Sequence, residues 1–428
     1  MRRARQHKQP ITPEPIELTI EEIGAHGDGV AHRNGDAVFV PYTLPGDRVL
    51  ARPVGPSHAF PERWLARSSS PHPPHCSHFG ACGGCTLQHL QDDAYVAWKR
   101  QQLETALSRR GIQGVEILPM RRAAPNERRR AAFGIMHIGE RIELGFHAYR
   151  SRTIVDMRDC AVLDPAIVTL LPPLRGLMRD LLGDRQSADL LLTRTESGID
   201  LLIGRFSEAD RVVREKIAAF AAAHDLARIA RRGSSETPEI LIQRRAPHTM
   251  FGTVAVDIPP GAFLQATKSG EQAIVDTARG AISGARRIAD LYAGCGTLTF
   301  PLAAAARVHA VEGAAALAAA LSTAARRAGQ AGRVGIETRD LNRRPLLAEE
   351  LAAFDAIVFD PPREGAAAQT VEIARSTVKT VVGVSCNPAT FARDARILID
   401  GGFRLEHVTP IDQFLWSPHL ELVGVFRR

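Results

Sequence analysis

The chain has 428 residues, of which 45% are hydrophobic and 24% charged, an ordinary composition for a globular protein of two or three domains. No apolar run approaches the length of a membrane span, and the basic N-terminus lacks the apolar core of a secretory signal. We therefore expect neither a membrane-spanning nor a secreted protein but a cytoplasmic one. Six cysteines in a reducing compartment favour metal or catalytic roles over disulfides.

The formal net charge of +7 indicates a polyanionic partner. Arginine suits phosphate recognition because its planar guanidinium donates two parallel hydrogen bonds. The arginines cluster at Arg2, Arg3, Arg5, Arg121, Arg122, Arg128, Arg129, Arg130, Arg231 and Arg232. Nucleic acid is the partner class that this pattern favours, and a solvated basic surface is the alternative.

In chain order, residues 1–15 predict a disordered basic tail, and residues 16–66 predict a small β-barrel made of short alternating strands with glycine turns. The run Gly27–Ala31, followed by Val38–Asp47, resembles the TRAM domain, an OB-like RNA-binding barrel. Without that resemblance the ligand of the barrel stays open.

Residues 67–257 predict a central α+β domain. A linker over 68–74 leads to a cysteine-rich loop, and apolar residues at helical spacing then predict a helix over 92–110. Strand-like segments at 131–138 and 141–147 predict a hairpin, and an alanine-rich helix is expected near 213–224.

Four cysteines of this region have a spacing typical of metal ligands. Cys76, Cys82 and Cys85 form C-x5-C-x2-C, and Cys160 stands alone further along the chain. Four thiolates can hold either zinc or an iron–sulfur cluster. Structural zinc sites more often contain two C-x2-C pairs, and only one is present, so the pattern favours a cluster while zinc stays open.

Residues 258–428 alternate strands with helices, which predicts a doubly wound α/β domain with a parallel sheet. Ligands of such sheets bind beyond the carboxyl ends of the strands. The predicted strand 288–291 runs into the glycine turn Gly294-Cys295-Gly296, and Glu312 ends the next strand. The missing third glycine argues against a dinucleotide site, although NAD(P) stays open on the motif alone. The D-x-x-x-G-x-G form resembles the class I methyltransferase site for S-adenosylmethionine.

Two further strand ends carry groups suited to covalent chemistry: Asp360 follows the strand 356–359, and Cys386 follows the strand 380–384. Glu421 starts an apolar strand. A thiolate that adds to carbon 6 of uracil makes carbon 5 nucleophilic, after which a base must remove the carbon 5 proton. The alternatives are an inert buried Cys386 and a solvent-facing Glu421 on an edge strand.

Four motifs together resemble the RNA uracil-C5 methyltransferase family: D-L-Y-A-G-C-G-T-L-T-F-P-L-A, F-D-P-P-R-E-G, S-C-N-P-A-T-F-A-R-D and I-D-Q-F-x-x-x-x-H-L-E, spanning 290–303, 359–365, 385–394 and 411–421. The resemblance implies that Cys386 is the nucleophile, Glu421 the base, and Asp360 a contact to the uracil and the cofactor site. It implies S-adenosylmethionine ligands at Gln265, Tyr292, Thr297, Glu312 and Asp340. For Asp340, a solvated turn aspartate is the alternative.

The cysteine spacing resembles the 4Fe–4S branch of the same family, whose members act on large-subunit ribosomal RNA. The resemblance implies an enzyme with three domains, at 16–66, 67–257 and 258–428, that binds a cluster and forms 5-methyluridine in 23S rRNA. The alternatives are a tRNA-directed enzyme and an RNA-binding or RNA-folding protein with a vestigial transferase domain. We expect a monomer without a membrane partner.

Overall fold

The computed structural model describes residues 14–68, 71–206, 210–233 and 237–428. Most of the predicted basic tail, residues 1–13, lies outside these ranges. The chain divides into two compact units. The first unit contains the described residues up to His75, together with Cys85–Trp98 and Trp416–Pro418. The second unit contains Cys76–Gly84, the described residues of Lys99–Leu415, and His419–Arg428. The predicted three-domain boundaries stay a prediction.

The N-terminal strands form two three-stranded sheets, ordered β1-β5-β6 and β2-β3-β4. Their bounds are β1 (Ile16–Thr19), β2 (Glu22–Ile23), β3 (Gly29–Arg33), β4 (Asp36–Val40), β5 (Arg48–Pro53) and β6 (Ala59–Ala66). Both sheets contribute to one apolar core that includes Leu18, Val38 and Val49. Buried Asp47 accepts hydrogen bonds from the Leu44 and Ser68 amides at 3.0 and 2.6 Å. This arrangement agrees with the predicted barrel-like fold.

The middle of the chain forms a six-stranded sheet ordered β10-β9-β11-β12-β13-β14, in which only β12 and β13 are parallel. Helices α3 and α4 pack against this sheet, as expected for an α+β domain. The elements from α1 to β16 are α1 (Asp92–Ser108), β7 (Glu116–Ile117), β8 (Arg121–Arg122), β9 (Arg130–Ile138), β10 (Arg141–Gly145), α2 (Pro165–Val168), α3 (Leu171–Leu181), β11 (Ser187–Thr195), β12 (Gly198–Gly204), α4 (Arg211–Ala223), β13 (Arg228–Arg232), β14 (Glu239–Gln243), β15 (His248–Phe251) and β16 (Val254–Asp257).

The C-terminal part of the chain is a doubly wound α/β domain, as the sequence predicts. Its elements are α5 (Lys268–Ala281), β17 (Arg287–Leu291), α6 (Thr299–Ala303), β18 (Arg307–Glu312), α7 (Ala315–Arg327), β19 (Val334–Thr338), α8 (Ala348–Leu351), β20 (Ala356–Phe359), α9 (Ala367–Arg375), β21 (Thr380–Ser385), α10 (Pro388–Asp400), β22 (Arg404–Asp412) and β23 (Glu421–Arg427).

The sheet of this domain differs from the predicted parallel one. Its order is β19-β18-β17-β20-β21-β23-β22-β7, and β8 also pairs with β22. β23 inserts antiparallel between β21 and β22, and the sequence pattern did not identify β22 because Glu406, His407 and Pro410 interrupt its apolar character. The start of β23 therefore meets the carboxyl end of β21, which brings Glu421 to the same sheet edge as Cys386.

Among the described residues, no helix is long and apolar enough to cross a membrane.

Candidate active site

A cavity of about 740 Å³ opens at the carboxyl ends of β17, β18, β20 and β21. This is the edge at which open α/β sheets bind their ligands. The side chains that the sequence predicts for the cofactor and for the chemistry all line it, namely Gln265, Tyr292, Thr297, Glu312, Asp340, Asp360, Cys386 and Glu421. The fold thus brings together eight residues that are spread over about 150 positions of the sequence.

The glycine turn after β17 forms one wall of the cavity. Gly296 has a φ of +102°, and a Cβ built there would lie 2.6 Å from the Phe300 ring. Both the left-handed backbone and the close ring require glycine at this position. Glu312, at the end of β18, accepts hydrogen bonds from the amides of Gly294 and Ala314 at 2.8 and 2.7 Å. Its carboxylate is therefore held in place against the turn.

Asp290, the first residue of the predicted motif, is the most deeply buried acid of this wall. One carboxylate oxygen accepts a hydrogen bond from the Thr299 hydroxyl at 2.5 Å, and the other has no protein partner among the described residues. Burial raises its pKa to about 7. An acid that is poorly solvated and faces the cavity suits a cationic ligand there.

The outer wall contains Tyr292 and Asp340. Tyr292 has a φ of +61°, and its hydroxyl donates to the Asn342 amide oxygen at 3.1 Å. Burial raises the pKa of this phenol well above its usual value. Asp340 is exposed, accepts a hydrogen bond from the Asn342 backbone amide at 3.0 Å, and also lines the cavity. A role in the turn is therefore compatible with a role as a ligand of the cofactor.

The opposite wall holds the thiol and two acids. Glu421 is buried because β23 is an interior strand, so the alternative of a solvent-facing edge glutamate is wrong. Burial raises the pKa of Glu421, and the charge of Asp360 raises it further; burial likewise raises the pKa of Asp360. The two neighbouring acids therefore resist simultaneous ionisation near neutral pH.

Cys386 is half-buried and lines the cavity, two residues before α10 begins. Burial is the main reason that its pKa is raised to about 11, and the charges of Glu421 and Asp360 add to the effect. The Arg363 guanidinium opposes this rise. Without a ligand the group is therefore a thiol at neutral pH, and the Arg363 guanidinium favours its thiolate form.

The sequence analysis missed Gln413, which connects the acids Glu421 and Asp360 through Gln265. Its amide nitrogen donates to the Glu421 carboxylate at 2.8 Å and to the Gln265 amide oxygen at 2.6 Å. Gln265 in turn donates to Asp360 at 3.0 Å. The only sequence signal was the position of Gln413 within the motif that ends at Glu421, because its partners come from distant parts of the chain.

The cysteine loop brings together groups that are far apart in the sequence. Burial raises the pKa of Cys82, and the neighbouring thiols of Cys160 and Cys76 raise it further. The Gly84 amide donates to the Cys82 sulfur at 3.4 Å. Cys85 follows Gly84 directly. Within the part of the chain that the structure describes, all six cysteines are outside disulfides.

Two additional side chains approach Cys76 and were not predicted. The Nδ1 atom of His78 lies 3.8 Å from the Cys76 sulfur and 2.9 Å from the Asp159 carboxylate. The three ligand atoms lie within 4.8 Å of one another. Sequence reasoning missed His78 and Asp159 because neither matches a metal-ligand spacing.

Comparison with known proteins gives consistent results. The family model of tRNA (uracil-5-)-methyltransferases matches residues 259–428. An uncharacterized RNA methyltransferase of Caulobacter vibrioides is 46% identical, over 96% of this chain and all of that protein. A 23S rRNA (uracil(1939)-C(5))-methyltransferase of Chromohalobacter salexigens is 34% identical, over 96% of this chain and 89% of that protein.

The fold is also similar to that of a solved structure, the tRNA (uracil-54, C5)-methyltransferase of Pyrococcus abyssi in complex with S-adenosyl-L-homocysteine. The TM-score is 0.75 at 22% identity, covering 96% of this chain and 99% of that one. This similarity supports the doubly wound fold class. With relatives this similar over almost the whole chain, the protein belongs to the RNA uracil-C5 methyltransferase family.

Proposed function

We propose that this enzyme transfers a methyl group from S-adenosylmethionine to carbon 5 of a uridine in 23S rRNA, forming 5-methyluridine. The observation that carries the proposal is that one thiol, the buried acid Glu421 and the half-buried acid Asp360 line a single cavity together with the glycine turn. The relative that is 34% identical, named as a 23S rRNA uracil-C5 methyltransferase, supports the choice of substrate.

The cofactor wall fits S-adenosylmethionine. Glu312 and Asp340 both line the cavity. Glu312 would accept hydrogen bonds from the ribose hydroxyls, and Asp340 would lie on the adenine side. Thr297 and Tyr292 line the turn, and Gln265 and Asp360 line the end nearest the thiol. Bound there, S-adenosylmethionine supplies the methyl group.

In the proposed chemistry the Cys386 thiolate adds to carbon 6 of the uracil, and the ring becomes an enolate that is nucleophilic at carbon 5. Arg363 favours the thiolate, and Asp360 contacts the uracil. Carbon 5 takes the methyl group, and S-adenosylhomocysteine is the product left behind. The Glu421 carboxylate then removes the carbon 5 proton, and the Cys386 thiolate leaves as the double bond re-forms. The cavity that Cys386, Asp360, Arg363 and Glu421 line together supports these roles.

We further propose that Cys76, Cys82, Cys85 and Cys160 hold a 4Fe–4S cluster. The donor set fits, since three of these thiols interact electrostatically and the Gly84 amide donates to the sulfur of Cys82. Gly83 is packed so closely that an added Cβ would lie 3.0 Å from the Tyr149 backbone, which fixes the loop that carries the ligands. The cluster would stabilise this loop, and the methyl transfer needs no electron from it.

We also propose roles for the domains outside the cavity. The N-terminal barrel serves as a TRAM-type RNA-binding domain, followed along the chain by a central domain over 67–257 and a transferase domain over 258–428. We propose a cytoplasmic monomer whose partner is RNA. Basic residues on the chain, which give it a formal charge of +7, suit that partner.

The test uses 23S rRNA transcribed with 5-fluorouridine, mixed with the holoenzyme and S-adenosylmethionine and separated on a denaturing gel. Fluorine cannot leave as a proton, so Glu421 cannot complete the cycle and a covalent protein–RNA band is expected. Cys386→Ala should give no band. A band with fluorinated tRNA and none with rRNA would overturn the rRNA assignment. No band with either RNA, despite RNA binding, would favour the vestigial-transferase alternative.

A further inference from the structure

Gln413 is a buried amide that the proposed chemistry does not yet use. It directly follows β22 and is 1% exposed. Its amide oxygen accepts from the Ala266 backbone N–H at 2.9 Å. Its nitrogen donates one hydrogen to Gln265 and the other to Glu421, at 2.6 and 2.8 Å. Both donors of the nitrogen and one acceptor position of the oxygen are therefore used.

These contacts fix which way the Gln413 amide points. The backbone N–H of Ala266 can only donate, so the atom that faces it must be the amide oxygen. A flipped amide would set a donor against that N–H and an acceptor against both Gln265 Oε1 and Glu421. Because buried polar groups left without partners are costly, the flipped state is disfavoured.

The orientation of the Gln413 amide also determines that of the Gln265 amide. The Gln265 oxygen accepts from Gln413, so its nitrogen must be the atom that lies 3.0 Å from the Asp360 carboxylate. Each of the two acids thus receives one N–H, from Gln265 at Asp360 and from Gln413 at Glu421. A single backbone N–H, that of Ala266, sets the polarity of the whole chain of hydrogen bonds.

We propose that Gln413 is a positioning residue that favours the ionised form of Glu421, aims it as the proton acceptor and, through Gln265, turns an N–H towards Asp360. This inference rests on the proposed function, because it assumes that Glu421 is the base. It deepens that proposal by naming the group that makes a buried glutamate usable near neutral pH.

The surroundings of Glu421 show why such a donor matters. Asp360 after β20 and Cys386 after β21 face it, and both add negative charge when ionised. Arg128, Arg363 and His419 line the same cavity and carry its positive or titratable nitrogen groups. Burial and the charge of Asp360 raise the pKa of Glu421, and the Gln413 hydrogen bond lowers it.

The variant Gln413→Met keeps the side-chain length and removes both donors. The pKa of Glu421 should then rise, so the acid limb of the kcat–pH profile should move up by about one pH unit or more, the size expected for one lost hydrogen bond to a charged group. At pH 7, kcat should fall roughly tenfold, because less of the base is ionised, and it should recover as the pH is raised. The KM for RNA should stay unchanged.

A second readout follows from the order of the steps. Slower removal of the carbon 5 proton should leave the Cys386–RNA adduct in place longer, so a covalent band should appear with ordinary uridine RNA in Gln413→Met. Gln413→Glu, which keeps the acceptor for Ala266 but adds charge, should move the acid limb up further. A purely structural side chain would lower activity evenly at all pH values.

Gln369 offers a matched control. It is fully buried, and its amide bonds only to the backbone of Leu346 among the hydrogen bonds described, at 2.9 and 3.0 Å. Gln369→Met should lower the melting temperature and leave the pH profile in place.

The outcomes separate this inference from the proposed function. If the wild-type holoenzyme forms no adduct with fluorinated RNA, the proposed function fails whatever Gln413 does. If the wild type forms it but Gln413→Met and Gln413→Glu keep the wild-type acid limb and give no adduct with ordinary RNA, the positioning role is overturned. Should Gln413→Met fail to fold, the profile of Gln413→Glu decides by the same criterion.

Discussion

The Lys99 ammonium lies 2.5 Å from the Asp412 carboxylate, and both side chains are shielded from solvent. Lys99 is on α1, and Asp412 ends β22, directly before Gln413. The same ammonium donates to the backbone carbonyl of His419 at 2.8 Å. One buried cation thus binds the side chain just before Gln413 and the backbone two residues before Glu421.

Lys99→Met should strongly destabilise the protein, because it leaves the Asp412 charge buried without its cation. The free energy of unfolding should fall by about 3–5 kcal/mol, as is typical when one partner of a buried ion pair is removed. The melting temperature measured by circular dichroism checks this. The double variant Lys99→Met/Asp412→Asn should regain part of the loss, and a double variant as unstable as the single one would contradict the ion-pair explanation.

Cys386 should react slowly with iodoacetamide in the absence of RNA. With a pKa of about 11 it is a thiol at pH 8, and its alkylation should be about a hundredfold slower than that of a cysteine with an ordinary pKa of 9.0. The rate should rise with pH up to the pKa. Peptide mass spectrometry resolves Cys386 from the other five cysteines.

Removing the charged groups near Cys386 should change its alkylation rate in a direction that depends on the sign of the charge removed. Glu421→Gln and Asp360→Asn each remove a negative charge that raises the pKa of the thiol, so both should speed alkylation at pH 8. Removing the opposing cation with Arg363→Met should slow it. If wild-type Cys386 were alkylated as fast as an exposed, unperturbed cysteine, the electrostatic description of the pocket would be refuted.

Gly296→Ala should impair the cofactor turn. The new Cβ would meet the Phe300 ring at 2.6 Å, and the φ of +102° is one that L-residues rarely adopt. We expect S-adenosylmethionine binding, measured by calorimetry, to weaken at least tenfold, with a stability cost of about 1–3 kcal/mol. Gly176→Ala is the control, since Gly176 is an exposed residue of helix α3 with nothing within 4 Å of an added Cβ, and it should stabilise the protein by about 0.5–1 kcal/mol.

Protein purified without oxygen should contain iron and sulfide, and Cys160→Ser should lose most of both. Because Cys160 is remote in sequence from the other three proposed ligands, its loss would also remove the proposed cross-link and should lower the melting temperature. Cys295→Ala serves as the control, because Cys295 lies within the glycine turn after β17, packs in the core of the C-terminal domain, and should leave the iron content unchanged. Zinc without iron in the wild type would contradict the cluster assignment.

The sequence by itself determined the fold class and the main positions of the cavity. Strand periodicity and the glycine turn are local signals, and the carboxyl ends of neighbouring parallel strands must meet at one edge of a sheet. That rule is enough to place Asp360 and Cys386 together with the turn at Gly294 and Gly296. It is not enough to place Glu421, which the sequence assigned to a strand but not to an antiparallel one.

Only the tertiary structure decided the partners of these groups. The antiparallel insertion of β23 brings Glu421 to Cys386, and the bonds of Gln413 to Gln265 and to Ala266 span more than 140 positions of the chain. Lys99 with Asp412 and His78 with Asp159 are likewise pairs that only the fold brings together. Hydrogen bonds and buried ion pairs depend on distances of a few ångströms between segments that a local pattern cannot relate, so the residues that tune the chemistry could be identified only in the folded chain.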